Sequence, residues 1–449
     1  MLLDLFFMLK KTTLTVLLFI CSIITFGQSK FNLPRTNSDK IRFQLIDNLI
    51  IVPVEVNGVT LSFLLDTGVS KPILFNIANI DTLQVNNVET VYLRGLGGGE
   101  PVEALKSQNN LFKMGNAINI DQDIYVVFDN SINFTPRLGI PVHGIIGFDL
   151  FRDFTVEINY SSKYLRLNKP ETFVHRKCRK CEQFNLSFYN NKPYINGAVK
   201  IDVENLPVKL LVDTGSSDAL WLFEEDSLGM KPLNNKYFED FLGKGLSGSV
   251  YGKRTKVKSF NLKSFVLKNV NVAFPDSTSI SYARKHEERN GSISGELLKR
   301  FNIIMDYKNA KVTLKKNNKF KSPFRYNKSG IILEQNGIRV VKEKYLERPF
   351  NNYGKSNEGN AVVNFTESFR LNLKPAFSIV ELRKDSPAER AGLLIGDVIL
   401  SINGKDTYDM KLQDLIEMFS DDDDKLIKLG IERDTKQMRI NFRLEDPLK

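Results

Sequence analysis

The sequence predicts a mainly β chain: two similar lobes related by a pseudo-twofold axis, then a small α+β domain. Three observations lead there. An Asp-Thr-Gly tripeptide occurs twice, as Asp66-Thr67-Gly68 and Asp213-Thr214-Gly215, each time closing an apolar run, residues 61–65 and 208–212. Downstream landmarks recur in the same order at a nearly constant spacing of 147 residues, with Phe154 against Phe301, Tyr160 against Tyr307 and Leu167 against Leu314. Near residue 320 the alternating pattern gives way to mixed helix and strand signals.

Length and composition bound the reading. A chain of 449 residues is too long for one ordinary domain, and about three is the length-based expectation. The net charge of +11 is spread along the chain with no basic stripe and no interleaved aromatics, which describes a solvated surface and argues against nucleic acid as a partner. Residues 1–28 read as a signal peptide: Lys10 and Lys11 precede an apolar run at 14–26, and Gly27-Gln28 close it. Met8 is a plausible start for this leader. Cys21 follows Ile20, where a lipid-attachment signal wants a small residue. The run is too short to span a bilayer, so the mature chain is expected to have no transmembrane span and to be exported, periplasmic or secreted. Beyond the leader only Cys178 and Cys181 remain. They lack the second ligand pair of a zinc site and lie between the repeats, as a local disulfide or two linker thiols. With 3 His in the chain, a Ser-His or Cys-His catalytic pair is poorly supplied. No metal or cofactor is expected.

The elements follow in order. Lobe 1, near 40–170, starts with the alternating run 50–56 and the turn Asn57-Gly58. The run into Asp66 follows, then the glycine-rich Arg94-Gly95-Leu96-Gly97-Gly98-Gly99, a short helix around Leu150 and a strand at 155–160. Lobe 2, near 183–317, repeats this with a strand pair at 183–203 turning at Asn196-Gly197. The run into Asp213, Lys244-Gly245-Leu246-Ser247-Gly248-Ser249, a helix around Leu297 and a strand at 302–307 complete it. In the tail, Ser386 is a helix N-cap with Pro387 in the first turn and Glu389 reaching back, and Gly392 ends that helix. Strand 398–402 and the turn Asn403-Gly404 come next. Leu412, Leu415, Ile416 and Phe419 then recur at helical spacing, Asp421–Asp424 form a solvated acidic turn, and a strand pair closes the chain.

Two aspartates brought within a few Å cannot both ionise comfortably, so one carboxyl keeps its proton and the pair titrates as a unit. The ionised member can take a proton from a bridging water while the protonated member donates to a scissile carbonyl. Gly68 and Gly215 allow the sharp turn and close approach that this needs. Thr67 and Thr214 carry short hydroxyls able to hydrogen-bond across the pseudo-twofold axis. One such tripeptide is usually only a turn after a strand; two copies in duplicated lobes reverse that reading.

These motifs resemble aspartic peptidases of the pepsin/retropepsin type over residues 40–317. The apolar-apolar-Gly motif of that family stands as Ile145-Ile146-Gly147 and, with Ser294 departing from the pattern, as Ile293-Ser294-Gly295. The resemblance implies Asp66 and Asp213 as the catalytic dyad. It also implies flaps over the cleft at Gly95, Gly97 and Gly98 and at Gly245 and Gly248, more like a fused retropepsin dimer than a single-flap pepsin. The tail, near 320–446, resembles a PDZ domain through Ser386-Pro387-Ala388-Glu389-Arg390-Ala391-Gly392-Leu393 and 396–404, with an insertion near 338–376. That family adds a peptide as a strand and holds its C-terminal carboxylate on backbone N–H groups. The candidate groove is Ser329, Gly330 and Ile331 facing Leu412 and Leu415. The combination, with the Phe26-Gly27-Gln28 leader ending, looks like aspartyl proteases of Bacteroidetes-type bacteria. The expectation is an exported aspartic endopeptidase acting on peptide or protein substrates, its PDZ domain binding peptide C-termini or a partner protein. The alternative is a non-catalytic exported PDZ scaffold.

Overall fold

The computed structural model describes residues 30–449 apart from 78–79, 81–82, 130–131, 177, 234–235, 348–352, 356–360 and 364–365. The leader read at 1–28 lies outside the described residues. Strand accounts for 51% of the structure and helix for 9%, so packing between sheets carries the fold.

Two eight-stranded sheets share one strand order. In the first it is Gln44–Ile46, Leu49–Val56, Val59–Leu65, Gly144–Ile146, Ile73–Leu74, Ala117–Val126, Val102–Met114 and Glu89–Leu93. In the second it is Ser187–Tyr189, Lys192–Lys200, Asn205–Val212, Gly291–Ile293, Leu220–Leu222, Phe265–Pro275, Gly248–Leu262 and Phe238–Gly245. In each sheet the strand ending at the aspartate pairs in parallel with the short strand before the motif glycine, Leu64 against Ile145 and Leu211 against Ser292.

A six-stranded antiparallel sheet joins the lobes, in the order Ser38–Arg42, Tyr164–Asn168, Thr155–Asn159, Phe301–Asp306, Lys311–Lys316 and Cys181–Asn185. At its centre Glu157 pairs with Ile304, its own counterpart at the repeat spacing, and Val156 pairs with Met305 while Ile158 pairs with Ile303. The register is symmetric about Glu157 and Ile304, so the pseudo-twofold axis passes between them. One continuous apolar core, including Phe63, Phe112, Phe151 and Phe301, runs through both lobes and this sheet. Full burial of each such side chain contributes roughly 1.5–3 kcal/mol.

Asn57 and Gly58 turn with positive φ, as the sequence suggests. Asn196-Gly197 does not turn. It lies inside the continuous strand Lys192–Lys200, and the chain reverses at 201–204 instead. A Cβ on Gly197 would sit 3.1 Å from the Phe260 ring, so the glycine serves the close approach of the crossing Gly248–Leu262 strand. Cys178 and Cys181 form a disulfide at the entry to lobe 2.

The tail forms an antiparallel sheet in the order Ile331–Glu347, Thr366–Leu382, Val398–Ile402, Leu426–Arg433 and Lys436–Arg443, with its own core around Phe377, Leu393 and Phe419. The segment read as an insertion extends the hairpin of the first two strands. Ser386 Oγ accepts from Glu389 N at 3.3 Å, and Glu389 accepts from Asp385 N at 2.6 Å, closing the helix cap. This domain docks on both lobes. Asp47 N donates to Gln413 Oε1 at 2.8 Å, Arg137 meets Glu334 at 3.4 Å, and Arg383 lies 4.6 Å from the Phe238 ring. Among the described residues no helix is long and apolar enough to cross a membrane.

Candidate active site

The two Asp-Thr-Gly loops meet at the lobe interface through a reciprocal hydrogen-bond set. Thr67 N donates to Thr214 Oγ1 at 3.0 Å, and Thr214 N donates to Thr67 Oγ1 at 3.1 Å. Each hydroxyl in turn donates to the strand carrying the opposite aspartate, Thr67 to Val212 O at 2.5 Å and Thr214 to Leu65 O at 2.8 Å. Both threonines are buried, so each backbone group satisfied here would otherwise stand unpaired in the interior. The aspartate backbones are fixed the same way, Asp66 N to Ile146 O at 2.8 Å and Asp213 N to Ile293 O at 2.9 Å.

The carboxyls converge. Gly68 N donates to Asp66 Oδ1 at 2.6 Å, and Gly215 N donates to Asp213 Oδ1 at 2.9 Å. A Cβ on Gly68 would lie 3.0 Å from Asp66 Oδ1 and 3.6 Å from Asp213 Oδ1, so the two oxygens lie within the sum of those distances. A Cβ on Gly215 would fall 2.2 Å from Asp66 Cγ, so only glycine admits the carboxyl there. Gly147 is equally constrained, its Cβ position being 1.9 Å from Asp66 O. Ser294 replaces the second apolar residue of the motif and is fully buried with no hydrogen-bond partner for its hydroxyl among the described residues.

Burial first, then the charge of Asp213, raises the Asp66 carboxyl to about 7. The Asp213 carboxyl is also raised by burial, while Arg289, the Gly215 N–H and Lys192 pull it back. One proton is therefore retained on the pair well above the ordinary carboxylate range. Both side chains are densely surrounded yet partly open to the cleft.

Two hairpin tips close over this floor. Gly99 N donates to Ser247 O at 2.8 Å, and Ser247 N donates to Leu96 O at 2.9 Å. Cβ atoms on Gly97 and Gly245 would come within 2.5 Å of Ser247 and 2.2 Å of Leu96 O, whereas Gly98 and Gly248 have open space around them. Gly248 still needs its φ of +116°, so of the five glycines singled out in these tips Gly98 alone has neither constraint. The tips also exchange leucines: Leu96 packs on the lobe 2 cluster around Trp221, and Leu246 packs on the lobe 1 cluster around Phe75. Sequence spacing shows the glycines but not this exchange, which depends on how the lobes face each other.

A cavity of about 1430 Å³ runs from the two aspartates past the hairpin tips to the tail domain, where Gly330, Ile331 and Ile416 line it. At that end Arg254 is held between Asp218 at 2.7 Å and Asp240 at 2.9 Å; burial opposes its charge, and the two carboxylates keep it protonated. Ser329, Leu412 and Leu415 are buried in the tail domain, and Gln413, Ile416 and Glu417 form the helix face toward the cavity. The loop N–H groups are already engaged: Asn327 Oδ1 accepts from Ser329 N at 3.0 Å and Gly330 N at 3.2 Å, and Ser329 Oγ accepts from Ile331 N at 3.0 Å.

A family model described as aspartyl protease matches residues 52–150 and again 199–295, and a PDZ domain model matches 378–433. The chain thus carries an aspartyl protease domain, matched once in each lobe, followed by a C-terminal PDZ domain. No curated protein matches the chain.

Proposed function

We propose that this protein is an exported aspartic endopeptidase in which Asp66 and Asp213 share one proton and activate one water. The observation that carries this reading is the reciprocal Thr67–Thr214 set, which joins the loops of two densely surrounded carboxyls whose proton affinity is raised. With one proton on the pair, the ionised carboxyl removes a proton from the water as its oxygen attacks the scissile carbonyl carbon. The protonated carboxyl donates to the carbonyl oxygen, giving a neutral tetrahedral diol. Collapse of the diol breaks the C–N bond as the pair delivers a proton to the leaving amine. Flap tips held over a bound substrate would limit its contact with bulk water, which strengthens these transfers. The PDZ domain, at one end of the same cavity, takes peptide or a partner protein. The Cys178–Cys181 disulfide suits an oxidising compartment, periplasmic or secreted.

Digestion of a peptide library by the mature chain tests the reading, with Asp66→Asn and Asp213→Asn beside it. Each variant is expected to lose at least ~100-fold in cleavage rate. Undiminished cleavage by both variants would refute the dyad. Peptide binding without cleavage from acidic to neutral pH would favour a PDZ scaffold instead.

A further inference from the structure

The lobes repeat each other, but the cleft walls beside the dyad do not. The strand registers fix the correspondence. Leu49 pairs with Ile46 and Ile51 with Leu64; in lobe 2 Lys192 pairs with Tyr189 and Tyr194 with Leu211. Lys192 therefore occupies the place of Leu49, and Tyr194 that of Ile51. His143 N bonds Ser62 O and Asn290 N bonds Lys209 O, which puts Arg289 in the place of Val142. All six residues except Ile51 line the cavity that holds Asp66 and Asp213.

At these three positions lobe 1 is apolar. Leu49, Ile51 and Val142 belong to a single buried cluster with Leu64 and Phe75. The opposite wall is cationic. Arg289 is 8% exposed and pinned in place, its Nε donating to Gly291 O at 3.1 Å while its guanidinium bonds the Tyr194 hydroxyl and lies 5.2 Å from the Phe223 ring. The Lys192 ammonium makes no hydrogen bond or ion pair among the described residues, and the charges around it are Arg289 and the dyad itself. A singly protonated dyad carries one negative charge against these two cations. The wall is left one anion short, and burial disfavours the charge on both of its cations. A desolvated cation without a counter-ion is costly, and a carboxylate arriving with the substrate removes that cost.

We infer that the cleft selects for opposite chemistry on its two sides: an apolar side chain against Leu49 and Val142, and a carboxylate against Lys192 and Arg289. This deepens the endopeptidase reading and rests on it. The carboxylate comes either from an Asp or Glu side chain within the substrate or from a free chain end, and the experiment separates the two.

A library of peptides with free and amidated C-termini is digested by the wild type, Lys192→Leu and Lys192→Glu at several pH values. Lys192→Leu installs the residue that lobe 1 carries at the same register position. The wild type is expected to prefer Asp or Glu in one subsite next to the scissile bond. Lys192→Leu should lower that preference at least ~10-fold, the worth of a charge-assisted hydrogen bond, and Lys192→Glu should turn it toward Lys or Arg. A preference kept only by free C-termini would identify the chain end as the carboxylate. Wild-type cleavage without an acidic preference, or a preference unchanged in both variants, overturns the inference. Absence of cleavage by the wild type would be a failure of the endopeptidase reading. Anisotropy of labelled acidic and neutral peptides on Asp66→Asn, with and without Lys192→Leu, then decides the cleft preference alone: tighter acidic binding that depends on Lys192 upholds it, and equal binding overturns it.

Discussion

Replacing Asp66 by Asn separates the retained proton from the carboxyl that holds it, and the consequence is a change in how stability depends on pH. In the folded protein this carboxyl is raised to about 7 from an ordinary 3.8, by burial first and by the Asp213 charge second. Between those values the unfolded chain has released a proton that the folded chain still binds. Stability therefore falls as pH rises through the window; the favourable contribution is complete below about 4 and gone above about 7. About three units at 1.36 kcal/mol each set an upper limit of roughly 4 kcal/mol, and contact with cleft water brings the expectation to about 2–4. Asn is neutral throughout and does not carry this penalty. Asp66→Asn should match the wild type within ~1 kcal/mol near pH 4 and exceed it by about 2–4 kcal/mol near pH 8. Trp221 is the chain's 1 tryptophan and lies in the cavity wall, so its fluorescence follows urea unfolding of lobe 2 directly. Parallel stability curves for the two proteins between about pH 4 and pH 8 would refute the shared-proton argument.

Three further outcomes follow from the geometry. Thr67→Val strips the acceptor from Thr214 N and the donor from Val212 O, both buried, and should lower the urea-derived unfolding free energy by about 2–5 kcal/mol, with Thr67→Ser restoring most of it. Gly245→Ala places a methyl 2.2 Å from Leu96 O and should hinder flap closure by ~1–3 kcal/mol, read as a roughly five- to hundredfold fall in kcat/KM, whereas Gly98→Ala, with open space around it, should be silent. Asn327→Ala frees the Ser329 and Gly330 N–H groups; calorimetry should then show tighter binding of free-carboxylate peptides and no gain for amidated ones, if those N–H groups are the carboxylate site.

The dyad was legible because its chemistry is local: a tripeptide at a strand end, written twice, with glycines whose crowding against Asp66 leaves no room for a side chain. The helix cap at Ser386 was legible for the same reason. What escaped depends on pairing between distant strands. Asn196-Gly197 carries the composition of a tight turn, and only the crossing of the Gly248–Leu262 strand, invisible to local pattern, explains a glycine inside an extended run. Leu412 and Leu415 are apolar at helical spacing, a signal that marks the core face of a helix and not its groove face. The cationic wall was hidden by a change of offset. Counting the repeat spacing back from Lys192 reaches Leu45, but lobe 2 has a longer hairpin between its first long strands, and the paired register sets Lys192 opposite Leu49.

The charge balance at the dyad explains why one wall, and not both, can be cationic. Lys192 and Arg289 each pull the proton affinity of Asp213 down, and Lys192 does the same to Asp66. A second lysine and arginine in the places of Leu49 and Val142 would double the pull and strip the proton that the pair must keep to donate to a carbonyl. A symmetric homodimer has no choice, since every substitution appears on both walls. A duplicated single chain can set a cation on one side and leave burial to hold the proton from the other. The balance is testable without any substrate preference: removing Lys192 takes away a cation, favours the neutral carboxyl and moves the basic limb of the pH–rate profile to higher pH. A limb that stays in place in Lys192→Leu would mean that the ammonium does not reach the field of the dyad.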